Sequence, residues 1–181
     1  MLGVLLLLAA APADPALFDP VTGYRIASYR GVIPAPPPGT QRLSDSEAAK
    51  AHDANALFID FTPAPGAIHD TVRDIWHLAE PHDTIPGAHW FPEAGRGTAE
   101  PAVDRWLDEG MRRLTHGTRR HAIVAFCLAD CWMSWNGSWK LRRLGYRHVA
   151  WYANGIDGWK EIGKPLVPTL PESQPAPLPS P

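Results

Sequence analysis

A chain of 181 residues has room for one domain with a substantial apolar core and is too short for two ordinary ones, so one site is expected. A formal net charge of −2 and a pI near 6.4 supply no field that would gather nucleic acid or an anionic membrane surface. No glycine-rich phosphate loop, Ser/His/Asp order or basic-aromatic stripe occurs, so nucleotide chemistry and nucleic-acid partners are not indicated.

Leu2 to Ala11 form an unbroken aliphatic and small run, too short to span a bilayer and of the length of a signal-peptide core. Ala11-Pro12-Ala13 offers a small-residue cleavage pattern before Asp14, with Ala9-Ala10-Ala11 as a second position. The expectation is a signal peptide over 1–13, export, and no membrane attachment after cleavage. Export would place both cysteines where thiol pairs close unless a reductant or a metal keeps them apart.

Residues 14–43 follow as an irregular arm. Their apolar and aromatic residues are interrupted by Gly23, Gly31 and the run from Pro34 to Pro38, which suits a segment wrapped on a domain more than a regular layer. The folded domain is expected over 44–164, in alternating helical and extended segments. Ser44-Asp-Ser-Glu47 fits a capping box opening a short helix to about His52, and Ala56 to Phe61 then reads as a buried strand carrying Asp60 near its end. Pro101 opens a helix whose residues Val103, Trp106, Leu107, Met111 and Leu114 form one apolar stripe.

Ala122 to Phe126 is a continuous apolar run of strand length that delivers Cys127 at its end. The next helix is expected from about Ser134 to Leu144, stopped by Gly145, then a strand over His148 to Tyr152 and a short helix over Gly155 to Ile162. Such alternation predicts an α/β fold with a central, mostly parallel sheet flanked by helices in a single domain. Residues 165–181, dense in proline and without apolar periodicity, are expected to be a disordered tail.

In such sheets ligands sit beyond the carboxyl ends of the strands, where loops meet helix N-termini. Cys127 holds that position. The loop Leu128, Ala129, Asp130, Cys131, Trp132, Met133 is long enough to turn backbone amides toward the Cys127 sulfur, and the helix behind it favours a thiolate or persulfide anion. Cys131 could resolve a persulfide or mixed disulfide on Cys127, close a strained disulfide with it, or share Cu(I) with it. A plain structural disulfide or two buried apolar side chains are the unreactive alternatives, although so small a ring stabilises little.

Trp132 either walls a sulfur pocket or packs in the core, and core packing is expected of Trp135 and Trp139. Asp60, on the same sheet edge as Cys127, could orient loop amides or take a proton, or could cap a turn. His89, after Ile85-Pro-Gly-Ala, is placed near that edge, with a turn histidine as the alternative. The histidines show no metal-binding spacing, and neither a metal nor a cofactor is indicated.

Leu57-Phe-Ile-Asp60, Ile85-Pro-Gly-Ala-His89, the strand-Cys127-loop-helix unit, Gly145-Tyr-Arg-His-Val149 and Asn154-Gly-Ile-Asp-Gly-Trp159 together resemble rhodanese-like domains in order and type. Gly23-Tyr-Arg25, Tyr29-Arg30, the block from Cys127 to Asn136, Trp151-Tyr152 and Asp157-Gly-Trp159 resemble the PQQ-dependent catabolism-associated CXXCW motif proteins, with three residues here between the cysteines. The resemblance implies a rhodanese-like fold with Cys127 as the persulfidated position of a sulfurtransferase. It also implies a periplasmic accessory to quinoprotein alcohol oxidation, acting with a sulfur donor or acceptor, a thiol partner, or a quinoprotein dehydrogenase or its cytochrome. Sulfurtransferase loops usually offer glycine and a basic residue to an anionic donor. Here Asp130 stands in the loop instead, and a carboxylate pointing inward would repel both thiosulfate and a thiolate.

The alternative function is a non-catalytic accessory in which the Cys127/Cys131 loop binds a partner protein, a cofactor or copper.

Overall fold

The computed structural model describes residues 14–73 and 75–172; the expected signal peptide at 1–13 and the stretch 173–181 of the expected tail lie outside the described residues. Nine short strands and four helices follow one another in these segments. In chain order they are β1 (Gln41–Leu43), α1 (Asp45–Asp53), β2 (Leu57–Asp60), β3 (Ile68–Asp70), β4 (Ile75–His77), β5 (His82–Thr84) and β6 (His89–Trp90). The second half adds α2 (Pro101–Leu114), β7 (Ala122–Phe126), α3 (Trp132–Arg143), β8 (His148–Tyr152), α4 (Gly155–Glu161) and β9 (Val167–Thr169).

The central sheet has five strands in the order β1-β8-β7-β2-β6, and each pairing in it is parallel. β7 lies at its centre, with Phe126 paired to Asp60 on one side and to Tyr152 on the other. A strand covered on both faces must be apolar throughout, and four of the five residues in Ala122–Phe126 are buried. Ala48 of α1 and Ile156 and Trp159 of α4 close one face over Phe58, Val124 and Phe126. Val103, Trp106, Leu107 and Met111 of α2, with Met133 and Leu141 of α3, close the other face over Ile59, Ile123 and Ala125. The α/β architecture with a parallel sheet between helices is thus the one the alternating pattern predicts.

Local signals explain the helix ends. The Ser44 side chain accepts from the Glu47 amide while the Ser44 amide donates to Glu47 Oε2 at 2.8 Å, which satisfies two otherwise unpaired donors at the start of α1. Pro101 sits in the first turn of α2, where its missing N–H costs nothing. After α3, Gly145 takes a φ of 93°, a conformation a side chain would disfavour.

Four expectations need correction. Residues 165–172 are not a disordered tail: β9 pairs antiparallel with β5, and the Glu172 amide donates to the Trp90 carbonyl. A three-residue strand with a proline in it has no periodicity to read, and its order comes from partners more than 80 residues away in sequence. The arm is not irregular to residue 43, because its last residues form β1 at the sheet edge beside β8. Helix α3 starts at Trp132, two residues before the expected Ser134, since Cys131 itself takes the N-cap position.

The fourth concerns Trp139, which packs against Tyr24 of the arm, whereas Trp135 packs, as expected, against the core cluster of Ile33, Trp132, Trp151 and Ala153. Phe18, Trp132, Trp135, Trp139 and Tyr24 form a chain of edge-to-face contacts with ring centroids 5.3–5.5 Å apart. Trp135 also donates its indole N–H to the Ala35 carbonyl at 2.9 Å. Such aromatic pairs contribute about 0.5–1.5 kcal/mol each beyond area burial.

Candidate functional site at the cysteine loop

Strand β7 ends at Phe126 and α3 begins at Trp132, so residues 127–131 turn the chain at the carboxyl edge of the sheet. The loop is held from two sides, by α4 and by the arm. The Cys127 carbonyl accepts from the Ile156 amide at the start of α4 at 2.8 Å, and the Ala129 amide donates to Asp157 Oδ2 at 2.9 Å. Asp130 takes a φ of 51° and its carbonyl accepts from the Gly31 amide at 2.8 Å. The Trp132 amide donates to the Tyr29 carbonyl at 2.8 Å, which leaves Arg30 directly opposite Cys131 in an antiparallel bridge. The arm therefore forms a short ladder with the loop.

The two sulfurs occupy different surroundings. Cys127 is 0% exposed, and its thiol points at the Leu128 carbonyl (3.5 Å), the Cys131 carbonyl (3.4 Å) and the Ser134 hydroxyl (3.1 Å). Carbonyl oxygens repel a sulfur anion, and the Ser134 amide is the backbone donor that favours one here. Burial first, then the neighbouring Cys131, hold the Cys127 thiol well above the ordinary thiol range. The expectation that loop amides ring the Cys127 sulfur is therefore corrected: it is a deep, neutral thiol.

Cys131 is the acidic member of the pair. The Cys127 thiol donates to its sulfur, and with help from the Met133 amide and the charge and hydrogen bonding of the Arg30 guanidinium this outweighs desolvation. The Cys131 thiol is pushed down to about 7. Its position at the N-cap of α3 puts the sulfur beside first-turn amides, although no regular capping hydrogen bond closes. Both cysteines are free thiols, and Cys131 is only 1% exposed.

Residues flanking the pair mostly position it. Trp132 does not wall a sulfur cavity: it packs on Phe18, with the Arg25 guanidinium 5.0 Å from its ring, which answers the question of its role in favour of packing. Met133 and Leu128 join the core beneath the loop. Asn136, one turn along α3, accepts from the Arg25 amide (2.9 Å) and donates to the Arg25 and Gly95 carbonyls (2.8 and 2.9 Å). Ser134 Oγ also accepts from the Trp151 indole at 3.0 Å, which fixes the hydroxyl that faces Cys127.

Asp60 and His89 do not reach the thiols. Asp60, fully buried, accepts from the Thr62 amide (2.7 Å) and Thr84 Oγ1 (2.6 Å), and lies 2.8 Å from His82 Nε2. It shares the sheet face of Phe58, whereas Cys127 packs in the cluster on the opposite face. His89 Nδ1 lies 2.8 Å from Glu172 Oε2, so it anchors the C-terminal segment.

Arg30, Ser134, Asp157 and Gly155 are the site residues that sequence reasoning missed. Asp157 and Gly155 lie within the Asn154 to Trp159 motif already singled out, and Arg30 lies in the Tyr29-Arg30 pair; those motifs were the available signals. Among the described residues no group of three or more His, Cys, Asp or Glu side chains is placed to hold a metal, and no helix is long and apolar enough to cross a membrane.

No protein-family model matches the chain, and no curated protein does. Among solved structures, the thiosulfate sulfurtransferase of Pseudomonas aeruginosa is similar with a TM-score of 0.45 and 22% identity, over 71% of this chain and 20% of that one. The polysulfide-sulfur transferase homodimer of Wolinella succinogenes is similar with a TM-score of 0.45 and 16% identity, over 71% of this chain and 79% of that one.

Proposed function

We propose that the chain is an exported, rhodanese-like thiol protein that transfers sulfur or exchanges disulfides through Cys127 and Cys131, as a periplasmic accessory to PQQ-dependent alcohol catabolism. The observation that carries the chemistry is the placing of two free thiols in one loop at the carboxyl edge of the central strand, with the Cys127 thiol against the Cys131 carbonyl at 3.4 Å; the Cys131 thiol is pushed down to about 7. An attacking thiol works best with a pKa near the ambient pH. The catabolic and periplasmic parts rest on the sequence resemblance of the cysteine block and the tryptophan-rich segments. The reading takes a sulfur donor or acceptor, or a thiol protein, as the partner, and a quinoprotein dehydrogenase or its cytochrome as the system served.

Intact mass of the purified exported protein, non-reduced, before and after a sulfane-sulfur donor tests the chemistry. One added sulfur or the loss of two hydrogens is the expected result, and an unchanged mass in both conditions would sink it. For the biological role, deleting the gene should slow growth on alcohols oxidised by quinoprotein dehydrogenases. Complementation by the Cys127→Ala, Cys131→Ala double variant as well as by the wild type would refute a thiol role there.

The depth of both sulfurs favours a second reading, a non-catalytic module that binds a partner, a cofactor or copper. With no third ligand placed among the described residues, Cu(I) would be held by the two thiolates alone. Copper retained through gel filtration, with no change of mass on treatment with a sulfur donor, would select this reading.

A further inference from the structure

Within the sulfur-handling reading just given, on which this inference rests, the two thiols differ in what surrounds them and in what lies between them and solvent. Residues 29–31 of the arm run antiparallel to 130–132, with Gly31 donating to Asp130 and Trp132 donating to Tyr29, each at 2.8 Å. Directly opposed residues of an antiparallel pair project side chains to the same side. Arg30 and Cys131 are such a pair, and Arg30 is exposed while Cys131 lies beneath. An anion approaching Cys131 therefore meets the guanidinium first. Cys127 faces the Leu128 and Cys131 carbonyl oxygens.

We infer that Cys131, with Arg30 of the arm as its positioning cation, is the sulfur that accepts sulfane sulfur from a small anionic donor, and that Cys127 then closes on it to release hydrosulfide. The basic residue missing from the loop is thus supplied by the arm, about 100 residues earlier in the chain. In the first step the Cys131 thiolate attacks the outer sulfur of thiosulfate. The new S–S bond forms, the donor's S–S bond breaks, and sulfite leaves with the electron pair, so Cys131 carries a persulfide anion.

In the second step the Cys127 sulfur attacks Cys131 Sγ. The bond from Cys131 Sγ to the outer sulfur breaks, and that sulfur leaves with the electron pair and the Cys127 proton as HS⁻. The two cysteines lose two electrons as the disulfide forms, and the sulfane sulfur gains them. A thiol reductant, two RSH giving RSSR, restores the pair. The Cys127 thiol already lies against Cys131, donating to its carbonyl at 3.4 Å, so the second step joins two neighbours within one loop.

The test uses the full exported chain, reduced and then treated with sodium thiosulfate, with intact mass, peptide mapping and hydrosulfide release as readouts. Cys127→Ala should trap one sulfur on Cys131 and release no hydrosulfide. Cys131→Ala should take up none, and the wild type should release hydrosulfide while losing two hydrogens. Arg30→Gln, at an exposed position, should slow persulfide formation by roughly tenfold or more and raise the pH at which the Cys131 thiolate appears, with Arg30→Lys largely restoring both.

Sulfur mapped to Cys127 in the Cys131→Ala variant would overturn this inference while leaving the sulfur-handling function standing. An Arg30→Gln variant with unchanged rate and thiolate midpoint would also overturn it. Failure of every variant and the wild type to take up sulfur or lose hydrogens would refute both the inference and the function beneath it.

Discussion

The Cys127 carbonyl oxygen sits where a Cβ on Gly155 would stand, 1.7 Å from it, and Gly155 itself has a φ of 52°. The close approach lets the next amide, Ile156, donate to that same oxygen at 2.8 Å and tie the cysteine loop to α4. Gly155→Ala should therefore strain the backbone and push the loop from its seat, with destabilisation on the order of 3 kcal/mol. Urea unfolding of the reduced protein measures this, and a midpoint equal to the wild type's would mean the contact is not as close as described.

Thiolate ultraviolet absorbance should show one group per chain ionising at about 7, assigned to Cys131, while the Cys127 thiol stays neutral well into alkaline solution. The groups that favour the Cys131 anion are the Cys127 thiol, the Met133 amide and Arg30, so Cys127→Ala and Arg30→Gln should each move the midpoint upward. Because the folded value lies below the ordinary thiol value, Cys131 adds stability above the unfolded pKa and loses that contribution as pH falls through about 7. A titration in which Cys131→Ala keeps the low midpoint would contradict the assignment.

Asn136→Leu removes three hydrogen bonds to the arm and to Gly95 and leaves buried partners unpaired. The expected loss is about 2–4 kcal/mol. The arm should also become an early site of proteolysis, cut well before the core. Cleavage at the wild-type rate would show that the arm's other contacts hold it without Asn136.

Asp60→Ala strips the acceptor from Thr62, His82 and Thr84 in a fully buried position and should cost about 3 kcal/mol. Since Asp60 lies on the sheet face away from Cys127, the thiolate midpoint should not move. A shifted midpoint would restore Asp60 to the cysteine site.

Ending the chain after Lys164 deletes β9 and the Glu172 contacts with His89, the Trp90 carbonyl and the Trp106 indole. Stability should fall by roughly 2 kcal/mol or more, with faster amide exchange in β5 and β6. Unchanged exchange there would show that the segment contributes nothing to the fold.

What could be read from residue order alone was set by short-range physics. The apolar run of β7, the capping box at Ser44, the proline-led stripe of α2 and the glycine after α3 act over a few residues, so they specify the same elements in most surroundings. From their alternation follow the parallel sheet and the placing of the cysteine loop at its carboxyl edge. Short strands such as β5, β6 and β9 carry too few residues to show a period, and they exist because partners distant in sequence supply their hydrogen bonds.

Which of the two cysteines ionises was decided only in three dimensions. Thiol acidity depends on burial, neighbouring dipoles and charge within a few ångströms. For Cys131 those are set by Cys127, α3 and an arginine from the opposite end of the chain. The order of residues determined that two thiols share a loop at the mouth of the sheet. The folded arm determined which of them meets a cation, because only folding brings Arg30 across from Cys131.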